Sequence, residues 1–402
     1  MKCETTYLYN DIRKIVVVIK FIKDRDDDPD TWDIIPRIAW ARVTSPTLRS
    51  EHDLIESEPF TTVEEGRAWE AKQLKEIKQK IETYRMSKSN EWVQGRSFLE
   101  ITKNMMDTVI RVTVFADDRT RAETAVAAVF ARMQQVSDAA SIFDCNAEAF
   151  RLNHDGFIDN PSADLFKLFQ ASLDYNRISK GYFDITIQPL LEIWSAGLWK
   201  DKPEAQKSKI HETMQLIGFD KISINARRIS FLVKGMKVTF GAIAKGYAVE
   251  TALETLGDLG VQHARIAAGG EIGTLGTRPD GQPWIIDLVN PQNVDQTLVT
   301  FQWEADRSIS TSGNYERYFS DNKTVNHLIN PKTGYSAADC ISVTIIAPTN
   351  TKTDALATSV FAMGPETGLD LIKSLKNVDC LIIDNNKKII SSPGIDQYLV
   401  KK

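Results

Sequence analysis

From residue 97 onward, stretches that favour strands and stretches that favour helices follow one another without a regular βαβ alternation. That irregularity constrains the fold most. A doubly wound parallel sheet or an α/β barrel needs a crossover helix after nearly every strand, whereas segregated runs of strands and helices define the α+β class. Residues 98–115 read as two strands of a hairpin. Ala122, Val126, Val129, Met133 and Val136 then mark one stripe of a helix. Ser162 caps a helix carrying Leu165, Leu168, Phe169 and Ser172. Residues 221–240 read as successive short strands, and 243–258 as a helix ended by Gly260. Further strands are expected at 263–268, 284–289, 297–303 and 342–347. Thr353 is expected to cap a late helix, and 379–390 to close the chain as a hairpin. No fixed-period repeat or low-complexity tract interrupts the pattern.

The first ~95 residues read as a separate, small α+β extension. Residues 14–22 are β-branched and strand-forming, and a second apolar stretch covers 34–43. Thr62 and Glu65 form a capping-box pattern before a helix whose stripe is Leu74, Ile77, Ile81 and Tyr84. Residues 86–95 are polar enough to be a linker, which sets the expected domains at 1–95 and 96–402.

Charge and cysteine usage exclude some classes. Lys and Arg number 49 against 54 Asp and Glu, a net charge of −5, so the chain lacks the basic footprint of a nucleic-acid binder. Cys3, Cys145, Cys340 and Cys380 form no CxxC pair, which indicates neither a zinc site nor a disulfide framework. The apolar run 15–22 is broken by Lys20 and is too short to span a bilayer. A cytoplasmic protein without a transmembrane segment or lipoprotein signal is expected.

Common catalytic motifs are absent: there is no GxxxxGK[ST], HExxH or GxSxG. Weaker signals remain. Asp354 and Thr358 stand four apart on an expected helix, so their oxygens share one face and suit a hard cation such as Mg²⁺. The alternative is that Asp354 is a first-turn acid favoured by the helix dipole. His327 precedes an Asn-Pro…Thr-Gly turn, where it is either a proton acceptor or a structural histidine. Residues 308–317, with Arg317, read as a polar loop able to meet an anion. Residues 239–247 are small and glycine-rich and lead into a helix N-terminus, with Lys245 adding positive charge. Gly269-Gly270 ends a strand, either as a simple turn or as a backbone approach to phosphate.

In order along the chain, MMDT (105–108), SIFD (141–144), GYFDITIQPLLEIW (181–194), GAIAKGYAVE (241–250), AAGGEIGTLG (267–276), STSGNYERYF (310–319), HLINPKTG (327–334) and DALATSVFAMG (354–364) resemble the ApbE-type FAD:protein FMN transferases. The resemblance spans roughly 97–398. It implies an α+β core of mixed or antiparallel sheets and packed helices. It also implies Mg²⁺-dependent transfer of FMN from FAD to a Ser or Thr of a partner protein, with release of AMP. Carried over residue by residue, Met106, Phe143, Tyr182, Phe183, Asp184, Thr239, Lys245 and Leu328 correspond to the flavin nucleotide pocket. Ala242 (through its carbonyl), Asp354 and Thr358 correspond to the metal ligands, and His327 to the catalytic base, with Asp354 the other catalytic candidate.

The chain departs from the family pattern at three points. Asp107 replaces the glycine of Met-Gly-Thr, Thr239 stands where an acidic residue is common, and Ala147 replaces a serine. No stretch matches the family's acceptor pattern, which implies that the substrate hydroxyl belongs to another chain. An FAD pyrophosphatase, or a flavin-binding protein without turnover, would use the same pocket.

Overall fold

The computed structural model describes residues 97–320 and 324–400 continuously, and before them the four strands of an N-terminal sheet. The chain divides into two compact units, Met1–Lys88 and Ser89–Lys402. In the first, β1 (Thr6–Asn10), β2 (Ile15–Ile22), β3 (Ile35–Arg42) and β4 (Glu51–Glu56) form an antiparallel meander in chain order. β2 and β3 correspond to the two apolar stretches expected there. The helix expected after Thr62 and the linker 86–95 lie outside the described residues.

The second unit is built on an eight-stranded antiparallel sheet. It begins with a hairpin, β5 (Ser97–Met105) and β6 (Thr108–Ala116). After β7 (Phe157–Asp159), β8 (Ile222–Asn225) and β9 (Arg228–Phe231), which make a small separate sheet, come β10 (His263–Ala268) and β11 (Glu271–Leu275). A long hairpin, β12 (Trp284–Asn290) and β13 (Asn293–Trp303), follows. β14 (Ser308–Gly313), β15 (Cys340–Ala347), β16 (Asp379–Asp384) and β17 (Ile389–Ser391) complete the main sheet in the order β17-β16-β15-β14-β11-β10-β6-β5. Every neighbouring pair in this sheet is antiparallel, so no parallel crossover is needed.

Helices cover one face of this sheet: α1 (Arg119–Ala140) over β5 and β6, α6 (Ala244–Asp258) over β10 and β11, and α7 (Asn350–Met363) over β14 and β15. The sequence periodicities explain the fit. Ile110, Val112 and Val114 recur at period two on β6, and Val126, Val129, Met133 and Val136 at helical spacing on α1; all seven belong to one core cluster and are essentially inaccessible. Asp118 caps α1 by accepting from the Thr120 and Arg121 amides. The opposite face is closed by β12 and β13, whose Trp284, Ile286, Phe301 and Trp303 pack on Ile309, Ile346 and Leu381 of the sheet. The smaller helices α2 (Glu148–Asp155), α3 (Ala163–Ile178), α4 (Gln188–Ser195), α5 (Pro203–Met214) and α8 (Pro365–Ser374) fill the flanks. The Ser162 hydroxyl accepts from the Leu165 amide at 3.1 Å, the cap expected for α3.

Three expectations are corrected. Residues 308–313 form strand β14, not a loop, because their hydroxyls alternate with Ile309 and pair with a helix rather than with solvent. Thr353 does not cap α7: the helix begins at Asn350 with Thr349 in the cap position, and Thr353 is fully buried inside it. Only two strands lie within 221–240, because 232–240 runs on as irregular chain past Asn153, whose side chain accepts from the Val238 amide and donates to its carbonyl.

Candidate active site

The site lies where α6 and α7 cross above β11 and β14. The crossing is close because Gly246 faces α7: a methyl group there would fall 2.6 Å from Asp354 Cβ and closer still to the Asn350 carbonyl. The Gly246 amide belongs to the first turn of α6 and has no partner in its own helix. It donates to Asp354 Oδ2 at 2.8 Å. The helix N-terminus expected to face an anion therefore faces the carboxylate of α7. Asp354 is not a first-turn acid of its own helix, which has none.

A polar ladder fixes the register of α7 on β14. Ser308 Oγ donates to Asn350 Oδ1 at 2.8 Å, Ser310 Oγ and Thr353 Oγ1 share a hydrogen at 2.7 Å, and Ser312 Oγ and Thr358 Oγ1 lie 3.4 Å apart. Thr358 thus faces the sheet at Ser312, while Asp354 meets α6 at Gly246. The turn before α6 spends the Ile243 and Ala244 amides on the Phe240 carbonyl, and Ala242 lies in that turn with its carbonyl as a further oxygen donor. One carboxylate, one hydroxyl and one carbonyl make an all-oxygen donor set suited to a hard divalent cation that keeps ligand oxygens in its shell. Among the described residues no cluster of three or more His, Cys, Asp or Glu offers a softer cage.

Lys245 projects from the same turn of α6 and donates to Glu271 Oε1 at 2.6 Å. Burial alone would lower its pKa, but the Glu271 and Asp354 carboxylates outweigh that and raise it. Both carboxyls are in turn pushed up by burial, Glu271 to about 7, while Lys245 pulls the other way. The floor of the site is thus two buried carboxyls sharing one ammonium.

The rim is made by loops. His327 lies on the segment after β14, which is held by side-chain to main-chain bonds. Asn326 Oδ1 accepts from the Leu328 amide at 2.9 Å, Ser336 Oγ donates to the Asn326 carbonyl at 2.8 Å, and Trp194 Nε1 donates to the Gly334 carbonyl at 2.8 Å. His327 Nδ1 meets the Arg317 carbonyl at 2.9 Å. A carbonyl only accepts, so Nδ1 carries the hydrogen and Nε2 is the basic nitrogen. Burial, then the positive charges of Arg317 and Lys245, lower its pKa to about 4, partly offset by the Arg317 carbonyl. The imidazole is neutral at pH 7. The Arg317 guanidinium pairs with Asp107 at 2.8 Å, and Asp107 with Met106 forms the two-residue turn of the β5–β6 hairpin.

The remaining residues of interest separate into exposed and inward-facing sets. Phe143 is 82% exposed, an aromatic face left to solvent. Tyr182 is half-buried with Lys332 Nζ 4.4 Å from its ring centroid. Phe183 is inside the core, edge-on to Tyr175, and its amide and carbonyl are bonded to Ser179 and Asn176. Asp184 turns its Oδ1 onto the Thr186 amide and hydroxyl, and burial raises its pKa. The Thr239 amide donates to the Ile185 carbonyl, while its hydroxyl accepts from the Gly241 amide at 3.3 Å. Leu328 is buried in the cluster under α7. Glu271 was not singled out from the sequence. The signal was a carboxylate directly after Gly-Gly at the start of a strand, where its neighbour Ile272 faces the opposite side.

Fold and site together define an α+β protein with a floor of buried carboxyls around one ammonium and a neutral histidine on the rim. Residues 106–382 match the model of the ApbE family, and the chain belongs to that family. It is 28% identical over 271 residues to the FAD:protein FMN transferase of Haemophilus influenzae, covering 64% of this chain and 78% of that protein. The crystal structure of the ApbE protein from Thermotoga maritima superposes with a TM-score of 0.68 at 24% identity, covering 76% of this chain and all of that one. The apo form of the Pseudomonas stutzeri flavinyl transferase ApbE gives 0.66 at 25% identity, covering 76% of this chain and 98% of that one.

Proposed function

We propose that this chain is an FAD:protein FMN transferase that uses Mg²⁺ to move the FMN moiety of FAD onto a Ser or Thr hydroxyl of a partner protein, releasing AMP. The observation that carries the reading is the neutral His327, its Nδ1 fixed by the Arg317 carbonyl and its Nε2 left basic within the electrostatic reach of Lys245. Nε2 takes the proton of the acceptor hydroxyl as its oxygen bonds to the phosphorus of the FMN half. The bond from that phosphorus to the bridging oxygen breaks, and AMP leaves with the electron pair. Asp354, Thr358 and the Ala242 carbonyl would hold Mg²⁺, which when bound neutralises diphosphate charge. The fit rests on their chemistry: all are oxygen donors, and Asp354 is a buried carboxylate held above its ordinary pKa when no cation faces it.

For the flavin nucleotide we assign Met106, Phe143, Tyr182, Lys245 and Leu328, together with the segment of Phe183, Asp184 and Thr239. Phe143 and Tyr182 supply aromatic surface, and Lys245 supplies charge for the phosphates. Phe183 and Asp184 act by shaping the segment, because their side chains are committed inward. We propose a boundary between an extension, 1–95, and the transferase domain, 96–402. No described helix is long and apolar enough to cross a membrane. The free thiols of Cys145, Cys340 and Cys380 support assignment to the cytoplasm.

Incubating the protein with FAD, Mg²⁺ and an acceptor peptide, then weighing the peptide, tests the function. A mass gain of one FMN with equimolar AMP is expected. Free FMN with no labelled peptide would instead mean that water takes the place of the acceptor.

A further inference from the structure

The proposed ligand set leaves one group of the floor unaccounted for. Glu271 opens β11, is 3% exposed and has its two oxygens in different circumstances. Oε1 accepts from Lys245, whereas Oε2 is fully buried and has no hydrogen-bond partner. The neighbours that could have served it are otherwise engaged or withdrawn. Its cross-strand partner Ser310 gives its hydroxyl to Thr353. On the adjacent turn Gly269 has no side chain, and a methyl group there would lie 3.8 Å from Oε2 and 2.7 Å from the Thr108 hydroxyl. The Asp354 carboxyl acts on Glu271 from α7, so two buried acids face one ammonium whose side chain is itself 25% exposed. A buried carboxylate oxygen without a partner is costly unless a cation meets it.

We propose that Glu271 belongs to the cation-binding set, its unpartnered Oε2 and the Asp354 carboxylate holding a divalent cation between β11 and α7, with Lys245 as the resident counter-charge. The inference deepens the transferase reading and rests on it for the identity of the ion. Lys245 and the cation then compete for the same negative charge. As a direct ligand to the metal, Glu271 takes no proton from the substrate.

The test is calorimetric titration of the full chain with MgCl₂ alone, without flavin, for the unmodified protein, Glu271→Gln and Lys245→Met. Glu271→Gln is expected to weaken Mg²⁺ binding by at least about 10- to 100-fold, the loss usual even for a residue that only orients a ligand. Lys245→Met is expected to tighten it by removing the competing cation. Unchanged affinity in Glu271→Gln, or no measurable Mg²⁺ binding by the unmodified protein, would overturn the proposal. If Glu271→Gln fails to fold, Lys245→Met decides alone: weaker or unchanged binding rejects the competition. Because the titration contains no flavin, its outcome is independent of the transfer assay. Glu271-dependent metal binding without peptide labelling would reject the function and keep the site.

Discussion

The floor and the rim of the site are built by opposite means. On the floor, Lys245, Glu271 and Asp354 project from the first turn of α6, the start of β11 and the second turn of α7. Their positions are set by the same glycine contact and hydroxyl ladder that hold the helices on the sheet. On the rim, Asp107, Phe143, Arg317 and His327 stand on turns and loops; the Arg317 carbonyl accepts from both the amide and Nδ1 of His327, and the Arg317 guanidinium pairs with Asp107. A change to the floor is therefore expected to perturb fold and chemistry together, whereas a change to the rim is expected to act chiefly on chemistry near pH 7. The sharpest separation should come from His327→Ala. Transfer in single turnover is expected to fall by roughly 10²- to 10⁴-fold, the usual contribution of a general base. FAD affinity and the urea midpoint should stay where they are. A large loss of FAD binding would make His327 part of the pocket and shift the search for the base to Asp354.

Gly246→Ala probes the floor from the other side. Alanine favours a helix over glycine by about 1 kcal/mol, so propensity alone would stabilise the variant. The methyl group instead meets Asp354 Cβ and the Asn350 backbone across the crossing. Overpacking of this kind costs typically 1–3 kcal/mol, and a net loss of roughly 1–2 kcal/mol in urea unfolding is expected, accompanied by weaker Mg²⁺ binding. A raised midpoint with normal metal binding would show that the helices can separate without disturbing the site, and the contrast with the rim would fail.

How much of this was legible in the sequence follows the same division. The hairpin expected over 98–115, the α1 stripe and the Ser162 cap depend on local periodicity and capping, and the structure has them there, the hairpin running from Ser97 to Ala116. The Asp354–Thr358 pair could be placed on one helix face from spacing alone. What spacing could not show was the partner across the crossing. The hydroxyls of 308–312 read as a solvent loop because a serine-rich run is polar, yet tertiary packing made it a central strand whose polarity is satisfied by α7. Thr353 looked like a cap for the same reason: a hydroxyl near a helix start is ambiguous until its partners are known, here the Asn350 carbonyl that accepts from it and the Ser310 hydroxyl that donates to it. The lowered basicity of His327 is likewise a property of its surroundings. The family likeness supplied the order of the segments, and the physical reading supplied why Phe183 and Asp184 turn inward.

The pH dependence of transfer should sharpen the comparison further. A histidine at its ordinary pKa of 6.5 would lose its base function below that value. With the pKa lowered to about 4, the histidine's contribution to the acid limb of kcat/KM should fall near pH 4. The stability linkage has a definite sign. The folded state holds the imidazole less readily protonated than the unfolded chain, so the His327 contribution is complete above pH 6.5 and is lost as pH falls from there toward 4. His327→Gln should remove that part of the acid-side slope in urea midpoints. An acid limb at 6.5 assigned to His327 would mean that the ring is more open to water than its loop packing implies.

The smallest effect is expected from Asp107→Gly, which restores the small residue usual in this turn. Met106 and Asp107 have φ of 52° and 58°, the left-handed conformations of a two-residue hairpin turn in which glycine is favoured at the second position. Glycine would relieve the strain at 107 but would also remove the ion pair to Arg317. That pair is between side chains 79% and 53% exposed, where solvent screening leaves little net stabilisation. The two terms oppose, so the urea midpoint should move by no more than about 0.3 M. His327 is held by the main-chain carbonyl of Arg317, not by its guanidinium, so the base should keep its position and the single-turnover rate should change by less than about threefold. What should respond is the field at the rim. Removing a carboxylate beside Arg317 leaves that positive charge uncompensated, and the dianionic diphosphate of FAD should bind more tightly. The gain should be larger at 0.01 M salt than at 0.15 M, because an exposed charge is screened within a Debye length of about 8 Å at the higher ionic strength. A tenfold fall in transfer rate with unchanged FAD affinity would show that the Asp107–Arg317 pair positions the base after all. The rim would then be as interdependent as the floor.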